Sequence, residues 1–332
     1  MSIAVKKKAG GVSPSAKPSL FKRIIKSDKI GLIVALILII IIFSVLTGNK
    51  YFTPSNIINI LISSSIVGLV VIGECYLVIT GHVDLSPGSV AAFSGVLVCL
   101  LLNKGVPMFL AIPIVVAGGL LIGLLNALLV NKLKLEAFIA TLASMSIFRG
   151  LAYIICGGKS VFVTDKTFLK LGAGRILGVP IPVIIFIITF VIFMVLLSRT
   201  RFGRSVYMVG GNAVAARLAG INAQKVRTKL YMLTSAFAAL GGCIQAGRMS
   251  SGQPTSSEGL EFDAVTAVVL GGVAMSGGVG TLGGALIGLF IMQGFNNGLM
   301  MLNVPSFWQT VSRGLLLIAA LSFDFIRNRK RR

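Results

Sequence analysis

Apolar runs close to the length of a bilayer crossing recur along almost the whole chain, separated by short polar or glycine-rich stretches. A membrane-spanning helix needs about 20 predominantly apolar residues, because lipid offers no partner to its backbone N–H and C=O groups. Ten runs can be read, at 30–47, 57–79, 88–103, 108–130, 137–156, 179–198, 229–247, 261–276, 281–300 and 307–326, the eighth being short. Composition agrees. With 55% hydrophobic and 12% charged residues and a mean hydropathy of +0.96, the 332-residue chain carries more apolar surface than one water-soluble globule can bury. The sequence therefore predicts an all-α, polytopic integral membrane protein with about ten transmembrane helices.

The charge balance is extreme, with 31 Lys and Arg against 9 Asp and Glu. In a soluble protein such an excess would suggest nucleic-acid binding, but here the basic residues flank the apolar runs, so no nucleic acid is expected and the surrounding partner is lipid. With the N-terminus placed in the cytoplasm, 22 basic residues fall on the cytoplasmic side and 7 outside, leaving Arg149 and Arg313 within spans. This follows the rule that Lys and Arg collect on the inner face and predicts both termini inside. The chain divides into a basic tail 1–29, a transmembrane domain 30–326 with an inner loop 199–228, and a basic tail 327–332. The first apolar run follows a basic stretch as a signal peptide would. Its exit, Thr47-Gly48-Asn49-Lys50, lacks a small-residue cleavage pattern, so it reads as an uncleaved span.

The extramembrane pieces are too small for an enzyme, and any motor must reside in another polypeptide. Gly278, Gly280 and Gly283 satisfy the dinucleotide-binding spacing without a preceding strand, and Gly158-Lys159-Ser160 imitates the end of a P-loop whose first glycine is replaced by Tyr153. Neither is a nucleotide site. The four cysteines have no ligand spacing, and His82 is the only histidine, so no metal, cofactor or catalytic residue is expected.

The inner loop carries the most specific signal. Gly210-Gly211-Asn212 leads into Ala213–Ala219, and Gly220-Ile221 follows, a pattern for a short helix with Asn212 as N-cap and Gly220 as terminator. Val214 and Leu218 share one face at i, i+4, giving a small apolar knob ringed by Arg217, Lys225, Arg227 and Lys229. Two readings stand, a docking knob for a partner protein and a surface helix resting on anionic lipid.

Gly210 to Ile221, with Ala215, Ala216, Arg217, Leu218, Gly220 and Ile221, resembles the coupling segment of the permease subunits of ribose-type ABC sugar importers, which are related more distantly to branched-chain amino acid permeases. The resemblance extends through Asp84–Ser89, Ala137–Leu142 to Arg149-Gly150, Glu261–Ala264 to Gly271-Gly272, and Gly277 to Leu299. His82 stands where the family has a glycine, Glu136 where it has a proline, and Ala213 and Val214 where acidic residues are common. The resemblance implies a membrane permease that works as a homodimer or close heterodimer with a second permease subunit. A cytoplasmic ATPase would dock on Asn212, Val214, Ala215, Ala216, Arg217, Leu218, Gly220 and Ile221, and an extracytoplasmic binding protein would deliver a monosaccharide. Sugars of the ribose, xylose, galactose and allose type, and a furanose autoinducer, all fit this implication.

Residues between and within the apolar runs are nominated for the path: Asp84 and Ser86 between two runs, and Phe138, Thr141, Arg149, Asn296, Asn297 and Arg313 within runs. Asp84, in a Gly- and Pro-broken stretch, reads equally as a gate element and as a cap of the next helix. Glu258, Glu261 and Asp263 suit a helix N-terminus, contact with an external binding protein, or pairing with Arg248. Gly280, Gly284 and Gly288 make a four-residue ridge for close helix packing, echoed by Gly119 with Gly123 and Gly294 with Gly298. The main rival reading is an ion-coupled secondary transporter, for which only Glu74 and Asp84 could serve as membrane-embedded carboxylates.

Overall fold

The computed structural model describes residues 28–329, so most of the N-terminal tail and Lys330–Arg332 lie outside the described residues. Each of the ten apolar runs contains one helix: α1 (Asp28–Leu46), α2 (Pro54–Ile79), α3 (Pro87–Asn103), α4 (Met108–Asn131), α5 (Ala137–Cys156), α7 (Ile181–Arg199), α10 (Ala223–Met249), α11 (Leu260–Leu270), α12 (Leu282–Met301) and α13 (Ser306–Arg329). Three shorter helices complete the described set: α6 (Lys166–Ala173), α8 (Arg201–Gly211) and α9 (Ala213–Leu218). By length and composition α2, α4, α5, α7 and α10 are able to cross a membrane.

The two extremes of hydropathy occupy opposite places in the bundle. Among the helices able to cross, α10 is the least apolar and the most buried, whereas α7 is the most apolar and exposes Ile187, Ile188, Val191, Ile192 and Val195. Lipid selects for greasy outward faces, while helix contacts in lipid select for small residues that let backbones approach. α10 supplies such residues in Ser235, Ala238, Ala239, Gly241 and Gly242, and it packs against α4, α3 and α2. On α4, Gly119 lies over Ser235 and Ala239, and Gly123 over Tyr231 and Met232. On α12, Gly284 abuts the Gly271 carbonyl and Gly288 the Ala267 carbonyl of α11. Gly280 differs from the predicted ridge: it precedes α12 and sits against Val273, because Thr281 is the N-cap and accepts from the Gly284 N–H at 3.1 Å.

One end of the bundle carries a cap. The strands β1 (Val161–Phe162) and β4 (Ser251–Gly252) pair antiparallel, β2 (Arg175–Ile176) and β3 (Val179–Pro180) form a hairpin, and α6 inserts Phe168 fully into the core. The opposite end carries α8 and α9. The inner loop 199–228 expected from sequence is therefore largely helical: α8 takes up Gly210 and Gly211, and Lys225, Arg227 and Lys229 begin α10. The eighth run also shortens, since α11 stops at Leu270 and residues 271–281 are irregular. A second break, 80–86, separates α2 from α3. Irregular backbone is tolerated among membrane helices only where protein or a water path covers it.

Candidate functional site

The short helix α9 is closed at both ends by its own sequence. Asn212 Oδ1 accepts from the N–H groups of Val214 (2.9 Å) and Ala215 (3.0 Å). At the far end the Gly220 N–H bonds the Arg217 carbonyl (3.0 Å) and the Ile221 N–H bonds the Ala216 carbonyl (2.9 Å), with Gly220 at φ +80°. That pair of bonds is a Schellman motif, and a left-handed residue there favours glycine. Ala216 and Ile221 turn toward the bundle, whereas Val214 is 71% and Leu218 86% exposed. A capped single turn thus holds two apolar side chains in solvent, with Arg217 exposed beside them and a recess of about 450 Å³ running from Ala213 to Gln224. Arg227 does not join the basic ring expected from sequence, being half-buried in α10, and Lys229 Nζ lies 5.9 Å over the Phe202 ring.

α8 seats this turn on the bundle. Thr200 caps it, and Gly203, Val206 and Val209 face inward. Gly210 lies so close to the end of α2 that an added Cβ would land on the Ile79 carbonyl oxygen, with the Gly278 nitrogen at 2.6 Å. The Gly278 N–H in turn bonds the Ile79 carbonyl at 2.8 Å, and the Tyr207 hydroxyl donates to the Gly280 carbonyl at 2.8 Å. Burial pushes the Tyr207 hydroxyl up to about 12, so it remains a neutral donor at physiological pH. One glycine contact therefore joins α8, the break after α2 and the break after α11.

The break at 80–86 contributes Asp84 and Ser86 to a fully buried polar cluster. Ser86 donates to Asp84 Oδ1 through its N–H (2.8 Å) and its hydroxyl (2.7 Å), Asn126 Nδ2 donates to Ser86 Oγ (2.9 Å), and the Asp84 N–H donates to Glu74 Oε1 (3.1 Å). Asp84 binds the residue two positions on rather than the first N–H groups of α3, so it forms a local turn and leaves α3 without a side-chain cap. Glu74 Oε2, Asp84 Oδ2 and Asn126 Oδ1 are buried without a hydrogen bond. His82 Nδ1 lies 3.2 Å from the Tyr231 hydroxyl, and its backbone avoids positive φ, which explains how a histidine replaces a glycine there. Glu136, at φ −60°, has the backbone a proline would also take.

The remaining nominated residues separate. Asp263 Oδ2 accepts from Asn296 Nδ2 (3.2 Å) and Oδ1 lies 3.7 Å from Arg313 Nε. The partner of Asp263 is thus Arg313; Arg248 reaches Ser63 Oγ at 3.4 Å instead. Asn297 exchanges two bonds with Asn56 (2.9 and 3.0 Å), tying α12 to α2. Arg149 Nη1 holds the carbonyls of Pro254 and Ser256, each at 2.7 Å. Thr141 is fully buried and bonds its own helix at Ala137, while Phe138 is exposed on the outer face of α5. Sequence reasoning missed the roles of Tyr207, Asn56 and Gly210. Their partners lie dozens to hundreds of residues away, and no local pattern marks them.

The family described as branched-chain amino acid transport system / permease component matches residues 56–321. The ribose import permease protein of Bacillus subtilis (strain 168) is 41% identical over 90% of this chain and 92% of its own length. The L-arabinose ABC transporter permease protein of Azospirillum brasilense is 38% identical over 86% of this chain and 85% of its own. The L-arabinose transport system permease protein of Escherichia coli (strain K12) is 36% identical over 92% and 93%. No solved structure matches the chain.

Proposed function

Because the chain belongs to the family of branched-chain amino acid transport system permease components, we propose that it is the membrane subunit of an ABC importer for a monosaccharide. It is a multi-pass protein of the bacterial cytoplasmic membrane and does no covalent chemistry; a separate cytoplasmic ATPase hydrolyses ATP, and an extracytoplasmic binding protein delivers the sugar. The named ribose and L-arabinose relatives support an aldopentose or a sugar of similar size. Ten crossings with both termini in the cytoplasm, and a second permease subunit completing the path, belong to the same reading. Under it the transmembrane domain runs over 30–326 with coupling loop 199–228, flanked by basic cytoplasmic tails at 1–29 and 327–332.

One observation carries the mechanism: α9 presents Val214 and Leu218 to solvent on a rigid turn whose preceding helix touches both helix breaks through Gly210. Exposed apolar side chains on a fixed support fit a groove of the ATPase. Closure of that groove would move α8 and shift the segments 80–86 and 271–281 together. The buried acceptors of Glu74, Asp84 and Asn126 would then meet water as the path opens, which makes the Asp84–Ser86 turn a gate element rather than a standing channel wall.

The test is energetic. In proteoliposomes holding the permease, its ATPase and its binding protein, uptake is expected to survive a protonophore and to stop when ATP is removed. Uptake that needs an ion gradient and ignores ATP would assign the chain to secondary transport.

A further inference from the structure

Near the cap end, α2, α10, α11 and α13 enclose a recess of about 170 Å³ whose polar lining comes from Ser63, Gln245, Arg248, Glu258, Asp263 and Arg313. Ile66 and Val67 contribute an apolar wall. Arg313 is seven residues into α13, about 10 Å from its start at about 1.5 Å per residue, and Ser63 is nine residues into α2. Charged groups at such depth are tolerated where they face water or protein rather than lipid. The recess is open, and its side chains are only partly satisfied among themselves: Arg248 reaches Ser63, while atoms of Asp263 and Arg313 stay without a hydrogen bond. Asp263 Oδ1 and Arg313 Nε, 3.7 Å apart, are paired electrostatically but make no hydrogen bond, and Asn296 Oδ1 behind them makes none. Asp263 is only 6% exposed, so its free acceptor is held in place at the recess edge.

We propose that this recess is a transit station for one monosaccharide, an assignment that rests on the importer reading above. Two guanidinium groups face two carboxylates, so the lining is balanced in charge and favours a neutral solute. Arg248 and Arg313 donate, Asp263 and Glu258 accept, and Gln245 and Ser63 do both, which is what a ring of hydroxyl groups requires. Ile66 and Val67 suit the C–H face of the same ring. The volume lies below the about 300–1,000 Å³ of sites for drug-sized ligands, so a single small sugar fits and an oligosaccharide does not.

The experiment uses the complete importer in proteoliposomes with ribose and L-arabinose as probes. Arg248→Gln and Gln245→Ala are each expected to lower the sugar moved per ATP about tenfold, with ATPase stimulation by the loaded binding protein kept. Ser63→Cys, in a Cys156→Ser background that leaves only the buried Cys75, Cys99 and Cys243, should react with a bulky impermeant thiol reagent from outside. Labelling should stop uptake, and transported sugar should slow it. Absence of labelling, or labelling without loss of uptake, overturns the station. So does full recovery of uptake in the exchanged pair Asp263→Arg with Arg313→Asp, which would make the pair a mere staple between helices. If the wild-type importer moves neither sugar with ATP, the importer reading fails first and takes the station with it.

Discussion

Two adjacent glycines of α8 have opposite surroundings, and substituting each by alanine isolates the contact proposed to carry the stroke. At Gly210 an added Cβ would overlap the Ile79 carbonyl oxygen and sit 2.6 Å from the Gly278 nitrogen; at Gly211 nothing lies within 4 Å. Both positions are helical, so the gain in helix propensity from Gly→Ala, about 0.5–1 kcal/mol, is shared and cancels in the comparison. What remains is overpacking, about 1–3 kcal/mol, toward the upper end because the atoms met are backbone on two segments and cannot rotate aside. A difference of about 2 kcal/mol corresponds to roughly a 30-fold change in an equilibrium. Thermal unfolding of the purified complex should place Gly210→Ala below wild type and Gly211→Ala at or above it. ATPase stimulation by loaded binding protein should fall in the first variant and persist in the second. Equal behaviour of the two variants would refute the contact as the link between α8 and the helix breaks.

Further outcomes follow from the same geometry. Asn212→Ala removes the acceptor for two N–H groups at the start of α9, which costs about 1 kcal/mol of local helix stability, and uptake should fall with membrane insertion unchanged, as measured by transport and by protein recovered in the membrane. Leu218→Asp replaces a side chain with no packing role inside the chain, so thermal stability should hold while co-purification of the ATPase is lost; retained assembly would exclude the knob as its docking point. In the Cys156→Ser background, Leu177→Cys at the fully exposed hairpin tip should label in intact cells, and Leu218→Cys only after permeabilisation. The reverse pattern would invert the topology.

The ten apolar runs, the caps Asn212 and Gly220, and the exposed i, i+4 pair Val214 and Leu218 were all legible in the chain, because hydropathy, capping and helical periodicity act over neighbouring residues. The short α11 was legible only as a weak run, since its irregular continuation 271–281 is apolar enough to imitate helix. Pairings between distant segments depend on tertiary structure. The sequence offered Arg248 as a basic partner for the group Glu258, Glu261 and Asp263, and the packing of α13 against α11 gives Asp263 the Arg313 side chain instead. Gly210 looked like a loop residue beside a cap and became a point of backbone contact, because three segments far apart in sequence converge where a side chain has no room. Local physics wrote the helices and the capped knob into the sequence; which buried polar groups meet, and which glycine bears the contact, were decided only when the helices packed.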